Sequence, residues 1–197
     1  MSHDTLIHRL VRPAVRMVAP LGVTPNQVTT LRLVGGLGAA ACFAGPGHWP
    51  TTGGVVFLLA MLLDRADGEL ARQTRQFSAA GHRYDLVSDG LSSALAFWGL
   101  GIGASHGTVW PAVLGLVAGL GIAVLFWQLN VLQLAEVQGT RLAEGITVDP
   151  DDAMVLVPVL VWTGATLPML AVAATVTPLA ALWLLVRHRR RVGRAAE

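Results

Sequence analysis

The residues able to do chemistry are crowded into one run, LLDRADGELARQTRQFSAAGHRYDLVSDG, residues 62–90. It sets Asp64, Asp67, Glu69, Asp85 and Asp89 into two stretches that are otherwise apolar enough for a membrane. An ionised carboxylate in lipid costs several kcal/mol, so such groups face a protein interior or a wet cavity and mark function. Asp64 and Asp67 are three apart and Asp85 and Asp89 four apart, which puts each pair on one face of a helix. Four carboxylates converging in a low dielectric repel one another unless cations lie between them. All-oxygen ligation suits Mg²⁺, Mn²⁺ or Ca²⁺. Four aspartates can hold two such ions, and a two-metal site favours phosphoryl transfer. Gly68 and Ala71 keep the face of the first pair open for a ligand or a neighbouring helix, and Arg72, one turn beyond Asp67, suits a phosphate. Gly81 is expected to loosen the turn between the two helices.

Two other readings use the same residues. Asp64, Arg65, Arg72 and Arg83 could form buried salt bridges that merely clamp the helices. Intramembrane carboxylates also serve as relays in cation-coupled transporters.

The elements that position these groups follow from composition. Of the 197 residues 53% are hydrophobic and only 13% charged, where an ordinary soluble domain carries about a quarter charged residues. The expected fold is therefore an all-α integral membrane protein. Six stretches are candidates to cross ~30 Å of hydrocarbon, the fifth of them short: residues 27–45, 53–75, 83–103, 109–137, 153–167 and 169–187. If the second enters near Gly53, Asp64 lies ~16 Å in at 1.5 Å per residue, level with Asp85 and Asp89 on the return span. Residues 1–20 read as an amphipathic interfacial helix, with Leu6, Ile7, Leu10, Val11, Ala14 and Val18 on one side and His8, Arg12 and Arg16 on another. Pro13 interrupts it.

The connections at residues 45–50, 104–108 and 163–168 contain no charged residue, while every one of the 14 basic residues is an arginine on the other side. The positive-inside rule then makes both termini and the carboxylates cytoplasmic, with Trp49, Trp110 and Trp162 at the opposite interface. The whole chain, 1–197, reads as one domain: the interfacial helix, a six-helix core over 27–187 and a basic tail over 188–197. A net charge of only +2 argues against a nucleic-acid partner. The lone Cys42 excludes an internal disulfide.

Asp64, Asp67-Gly68, Ala71-Arg72, Gly81, Asp85 and Asp89 stand in the pattern D-x2-D-G-x2-A-R-x8-G-x3-D-x3-D. This resembles the signature of the CDP-alcohol phosphatidyltransferase family, and Thr24-Pro25-Asn26 at the head of the first span is similar to that family too. The resemblance implies a six-helix membrane enzyme of phospholipid biosynthesis, acting as a homodimer, that uses two Mg²⁺ or Mn²⁺ ions. Such an enzyme transfers a phospho-alcohol group from a CDP-linked donor to a small alcohol and releases CMP. It implies that Asp64, Asp67 and Asp85 hold the metals and that Asp89 is a ligand or the base for the acceptor hydroxyl. Gly68, Ala71 and Arg72 then line the cytidine diphosphate site, with Asn26 and Thr29 nearby.

The acceptor is less sharply marked. Related enzymes for phosphorylated acceptors often carry Lys or Arg after the fourth aspartate, and here Gly90 stands there, which favours an uncharged or zwitterionic alcohol. Tyr84-Asp85 and Ser88-Asp89 are similar to the phosphatidylserine synthase branch, whereas Asp67-Gly68-Glu69 resembles the branch that makes inositol-phosphate diesters. CDP-diacylglycerol is the expected donor, with a soluble CDP-aminoalcohol or CDP-inositol as the alternative. Arg83 in the loop, and Gln128 and Glu136, eight apart on the fourth span, are candidates to line the acceptor pocket. The alternative for that cluster is a helix end emerging into headgroups or a dimer contact.

Overall fold

The structure, a computed structural model, describes residues 6–130, 132, 140–143, 146–148 and 154–195. Helix α1, Leu6–Val18, leads through a short 3-10 turn, Ala19–Leu21, into α2, Pro25–Ala44. There follow α3, Trp49–Thr74, α4, Ala79–Gly103, and α5, Trp110–Asn130. Strands β1, Thr140–Ala143, and β2, Ile146–Val148, form a small antiparallel hairpin, and α6, Leu156–Trp162, and α7, Thr166–Ala195, complete the chain.

Helices are the expected solution where the backbone must satisfy its own polar groups in lipid. Their ends are set locally. Thr24 caps α2 by accepting from the Gln27 amide at 3.4 Å, while the Gln27 side chain accepts from the Thr24 amide at 2.9 Å. This reciprocal box, with Pro25 as first helical residue, starts the helix at a fixed residue. Ser78 caps α4 by accepting from the Gly81 amide at 2.9 Å. Helix α3 stops where Arg75 takes a left-handed conformation, φ 54°, and the Gln76 amide turns back to the Ala71 carbonyl at 3.1 Å.

Four helices among the described residues are long and apolar enough to cross a membrane: Pro25–Ala44, Ala79–Gly103, Trp110–Asn130 and the Thr166–Arg189 part of α7. Helix α3 has 26 residues but carries five charged ones in its second half. The bounds of the described elements differ from those expected. The fourth span is helical to Asn130, and its expected end at 137 lies outside the described residues. The fifth, expected over 153–167, contains a helix of only seven residues, because the chain turns at Thr163 and Gly164, the latter with φ 77°. The basic segment expected as a tail continues α7 as helix to Ala195.

Helix α2 packs against both α3 and α4, α4 against α5, and α5 against α7, while α1 lies along α3. Val11 and Val15 are the buried contacts of α1. The apolar core, including Phe43, Phe57, Phe97, Leu100, Ala118 and Leu170, sits in the half of the bundle away from the aspartates. There the helices nearly touch. A Cβ on Gly99, Gly103, Gly115 or Gly119 would collide with the carbonyl of Ala40, Phe43, Phe97 or Ala94 on the facing helix. Small residues at such crossings let backbones approach, a common way of packing helices where lipid removes the hydrophobic drive.

Candidate active site

The short turn between α3 and α4 brings the two aspartate pairs together against the first turns of α2. Carboxylate oxygens of Asp64, Asp67 and Asp85 all lie within 4.8 Å of one another. Asp67, buried, is fixed by the Thr29 hydroxyl, which donates to its Oδ2 at 2.8 Å. That hydroxyl also lies 3.1 Å from the Pro25 carbonyl. Thr29 is therefore held in place by the same helix start that Thr24 and Pro25 define.

Asp89 joins the group through an arginine that the reading of the run around residues 64–89 did not single out. Arg32, on α2 and only 3% exposed, places Nη1 on Asp89 Oδ1 and, at 2.5 Å, on Asp64 Oδ1. Its Nη2 lies 3.2 Å from Asp85 Oδ1 and donates to the Asp85 backbone carbonyl at 3.0 Å. Ion pairs do link these helices, but the central arginine comes from α2. Arg65, also buried, lies 3.8 Å from Asp64 Oδ2. The signal for Arg32 was available, since a charge more than a turn inside an apolar span marks function.

Two cavities meet at the carboxylates. One opens past the helix start of α2 and is lined by Asn26, Thr29, Asp67, Gly68, Ala71 and Arg72, with Asp85 and the turn from Gln76 to Ser78. Gly68 leaves its wall open, since an added Cβ would meet only Arg72 Nη1 at 3.7 Å. The other cavity lies deeper in the bundle. Its polar part is Arg32, Asp64, Arg65, Asp89, Ser92 and Ser93, and the rest is apolar, including Phe57, Met61 and Phe126. Asp89 lines this deeper cavity and not the first.

Arg72 is aimed by Glu69. The buried Glu69 Oε2 accepts from Arg72 Nε at 3.2 Å and Nη2 at 2.9 Å, and its Oε1 accepts from Gln73 at 2.9 Å. The same Oε1 lies 3.6 Å from Arg12 Nε on α1. Gly81 is not in the turn, as expected, but inside α4, where an added Cβ would sit 2.8 Å from Ser78 Oγ and 2.9 Å from Asn26 Oδ1. Its smallness makes room for the helix cap and for Asn26.

Of the acceptor candidates, Arg83 and Gln128 are described, and neither lines a cavity beside the carboxylates. Arg83 is exposed on the second turn of α4. Gln128 is buried at 4% exposure, donates to the Ala181 carbonyl of α7 at 3.2 Å and lines neither of these cavities. Glu136 lies outside the described residues. Ser88, also buried, donates to the Tyr84 carbonyl of its own helix at 2.7 Å.

The donor set fits a hard divalent cation. It is all carboxylate oxygen, it sits within the reach of one ion, and the buried Asp85 Oδ1 accepts no hydrogen bond, its only described cation being Arg32 at 3.2 Å. Mg²⁺ or Mn²⁺ is the cofactor such a group takes.

The sequence of residues 22–186 matches the CDP-alcohol phosphatidyltransferase family, and the chain belongs to that family. It is a membrane-bound transferase of phospholipid synthesis acting on a CDP-linked alcohol. No curated protein matches it. Its fold is similar to that of Mycobacterium tuberculosis phosphatidylinositol phosphate synthase. With CDP-DAG bound, that enzyme is 21% identical, with 92% of each chain covered and a TM-score of 0.66. Its complex with manganese and citrate is 19% identical, with 87% of each chain covered and a TM-score of 0.65. The apo form is 19% identical, covers 88% of this chain and 94% of its own, and has a TM-score of 0.63.

Proposed function

We propose that the chain transfers a phosphatidyl group from CDP-diacylglycerol to the hydroxyl of a small uncharged or zwitterionic alcohol, releasing CMP. The observation that carries this is the meeting of two unlike cavities at one set of carboxylates. The first, with Gly68, Ala71, Arg72, Asn26 and Thr29, takes the cytidine diphosphate. The second, with Asp89 at its polar end, takes the reacting hydroxyl and the adjoining lipid. Both cations of its lining already face carboxylates, Arg32 on three aspartates and Arg65 beside Asp64, and Gly90 stands where related enzymes for phosphorylated acceptors carry a cation.

In the reaction the acceptor oxygen attacks the phosphorus that bears the diacylglycerol. A new P–O bond forms, the P–O bond to CMP breaks, and the hydroxyl proton passes to Asp89 and on to water. Divalent cations bound by Asp64, Asp67, Asp85 and Asp89, two in number, would neutralise the diphosphate and the departing CMP. Arg72 holds the nucleotide phosphate, and Thr29 keeps Asp67 turned toward the site. A polar site at the end of a helix bundle lets a lipid enter laterally while its nucleotide stays in water.

The same reading makes the chain a single six-span unit. Its N-terminal helix lies in the interface, its termini and aspartates are cytoplasmic by the arginine distribution, and a second copy completes a homodimer. The test is CMP release by the purified protein with Mg²⁺ or Mn²⁺, CDP-diacylglycerol and separate pools of serine, inositol, amino alcohols and glycerol phosphate. Release with an uncharged or zwitterionic acceptor is expected. A phosphorylated winner would overturn the acceptor assignment. Silence in every pool with cytidine nucleotide still bound would point to a soluble CDP-alcohol donor, and silence without binding to a cation-coupled transporter.

A further inference from the structure

Arg32 touches three of the four aspartates, and it does so from a helix outside the run that carries them. A guanidinium offers several N–H groups in a planar fork, which is why one side chain can answer Asp64, Asp85 and Asp89 together. It is held deep because α2 and α4 press together just beyond it. A Cβ at Gly36, one turn further along α2, would lie 2.6 Å from Ser92 Oγ. The carboxylates grouped for an ion are Asp64, Asp67 and Asp85; Asp89 is outside that group and rests on Arg32.

We propose that Arg32 is a resident cation of the carboxylate site, neutralising its Asp64–Asp85–Asp89 edge before metal arrives and competing there with a divalent ion. The proposal rests on the metal-site reading above. Without a positive charge at this edge, three carboxylates would face one another in a low dielectric. With it, the pocket is assembled in the absence of metal, and the ion serves chemistry rather than folding. Binding on the Asp89 side then requires the guanidinium to give way, so Arg32 sets the apparent metal affinity.

The experiment measures Mn²⁺ binding by calorimetry, and thermal melting in EDTA and in Mn²⁺, for the full-length wild type, Arg32→Gln and Arg32→Lys. Removing a unit charge beside the ligands is expected to tighten Mn²⁺ binding in Arg32→Gln by about tenfold or more. The melting temperature of that variant should fall in EDTA and recover in Mn²⁺. Arg32→Lys keeps the charge but not the planar fork, so its Mn²⁺ affinity is expected to fall between those of the wild type and Arg32→Gln. Equal or weaker Mn²⁺ binding in Arg32→Gln, or a lysine variant that shifts as the glutamine variant does, would overturn the proposal. So would an Arg32→Gln protein that stays unfolded in Mn²⁺, since the ion should replace the lost charge. Absence of Mn²⁺ binding in all three proteins would instead remove the metal-site reading, and this proposal with it.

Discussion

The two halves of the α2–α3–α4 bundle are held together by opposite means. Toward the aspartates, contact between helices runs through long polar side chains: Arg32 to Asp64, Asp85 and Asp89, and Thr29 to Asp67. Toward the other end it runs through the lack of side chains, with Gly99 and Gly103 of α4 set against backbone carbonyls of α2. The glycine half fixes helix spacing by steric contact and has no room for anything else. The arginine half keeps its helices apart at a distance set by charged groups and leaves cavities beside them. Space for chemistry is therefore found at the end whose contacts run through long polar side chains.

Substitutions that exploit this contrast should fail in different ways. The largest effect is expected from Gly103→Val. Its side chain cannot share space with the Phe43 carbonyl, the helices must separate, and overpacking of this kind costs ~1–3 kcal/mol even where neighbours can move. Loss of the folded, monodisperse species in size-exclusion chromatography checks it. A normally folded Gly103→Val would show that the crossing is loose. Next come the carboxylates. Asp64→Asn or Asp85→Asn should cut CMP release by on the order of a thousandfold, ~4 kcal/mol of activation free energy, while the protein still purifies as the wild type does.

Asp89→Asn should lower turnover by ~10²–10⁴, the range for a lost general base, with nucleotide binding spared. Full activity in that variant would sink the role of Asp89. Arg72→Ala removes a charge-assisted phosphate contact and should weaken donor binding about tenfold, read as a dissociation constant for the CDP-linked donor. The smallest effect belongs to Gln128→Leu. Its amide bridges α5 and α7 rather than lining either cavity, so turnover should stay within about twofold and stability should fall by under ~1 kcal/mol. A large rise in the acceptor KM would return Gln128 to the acceptor pocket.

The aspartate pairs were legible because their spacing is local. Three and four residues define a helix face whatever the rest of the chain does. Thr24-Pro25-Asn26 was legible as the head of the first span, and the Thr24–Gln27 box that fixes the start there is likewise decided within one turn. Arg32 was visible only as a charge inside a span; nothing in its neighbours says that it meets residues 32, 53 and 57 positions further on. Gly81 illustrates the same limit. Its place in the pattern could be read, but the crowding by Asn26 that requires a glycine comes from another helix. Gln128 looked like a pocket residue because it stands eight residues from Glu136, nearly on one helix face, but a buried amide first needs a partner. That partner is the Ala181 carbonyl, on a helix whose packing against α5 no local pattern records.

Composition and spacing by themselves determined that the chain is a helical membrane protein, that two adjacent helices carry paired aspartates, and that those aspartates suit divalent cations and phosphoryl transfer. These depend on transfer energies and helix periodicity, which act over a few residues. Tertiary structure alone decided which carboxylates group for an ion, that Asp89 rests on Arg32, and that two different cavities open on either side of them. Those outcomes depend on how closely α2, α3 and α4 approach, a distance set by glycines at the far end of the bundle and by charge at the near one.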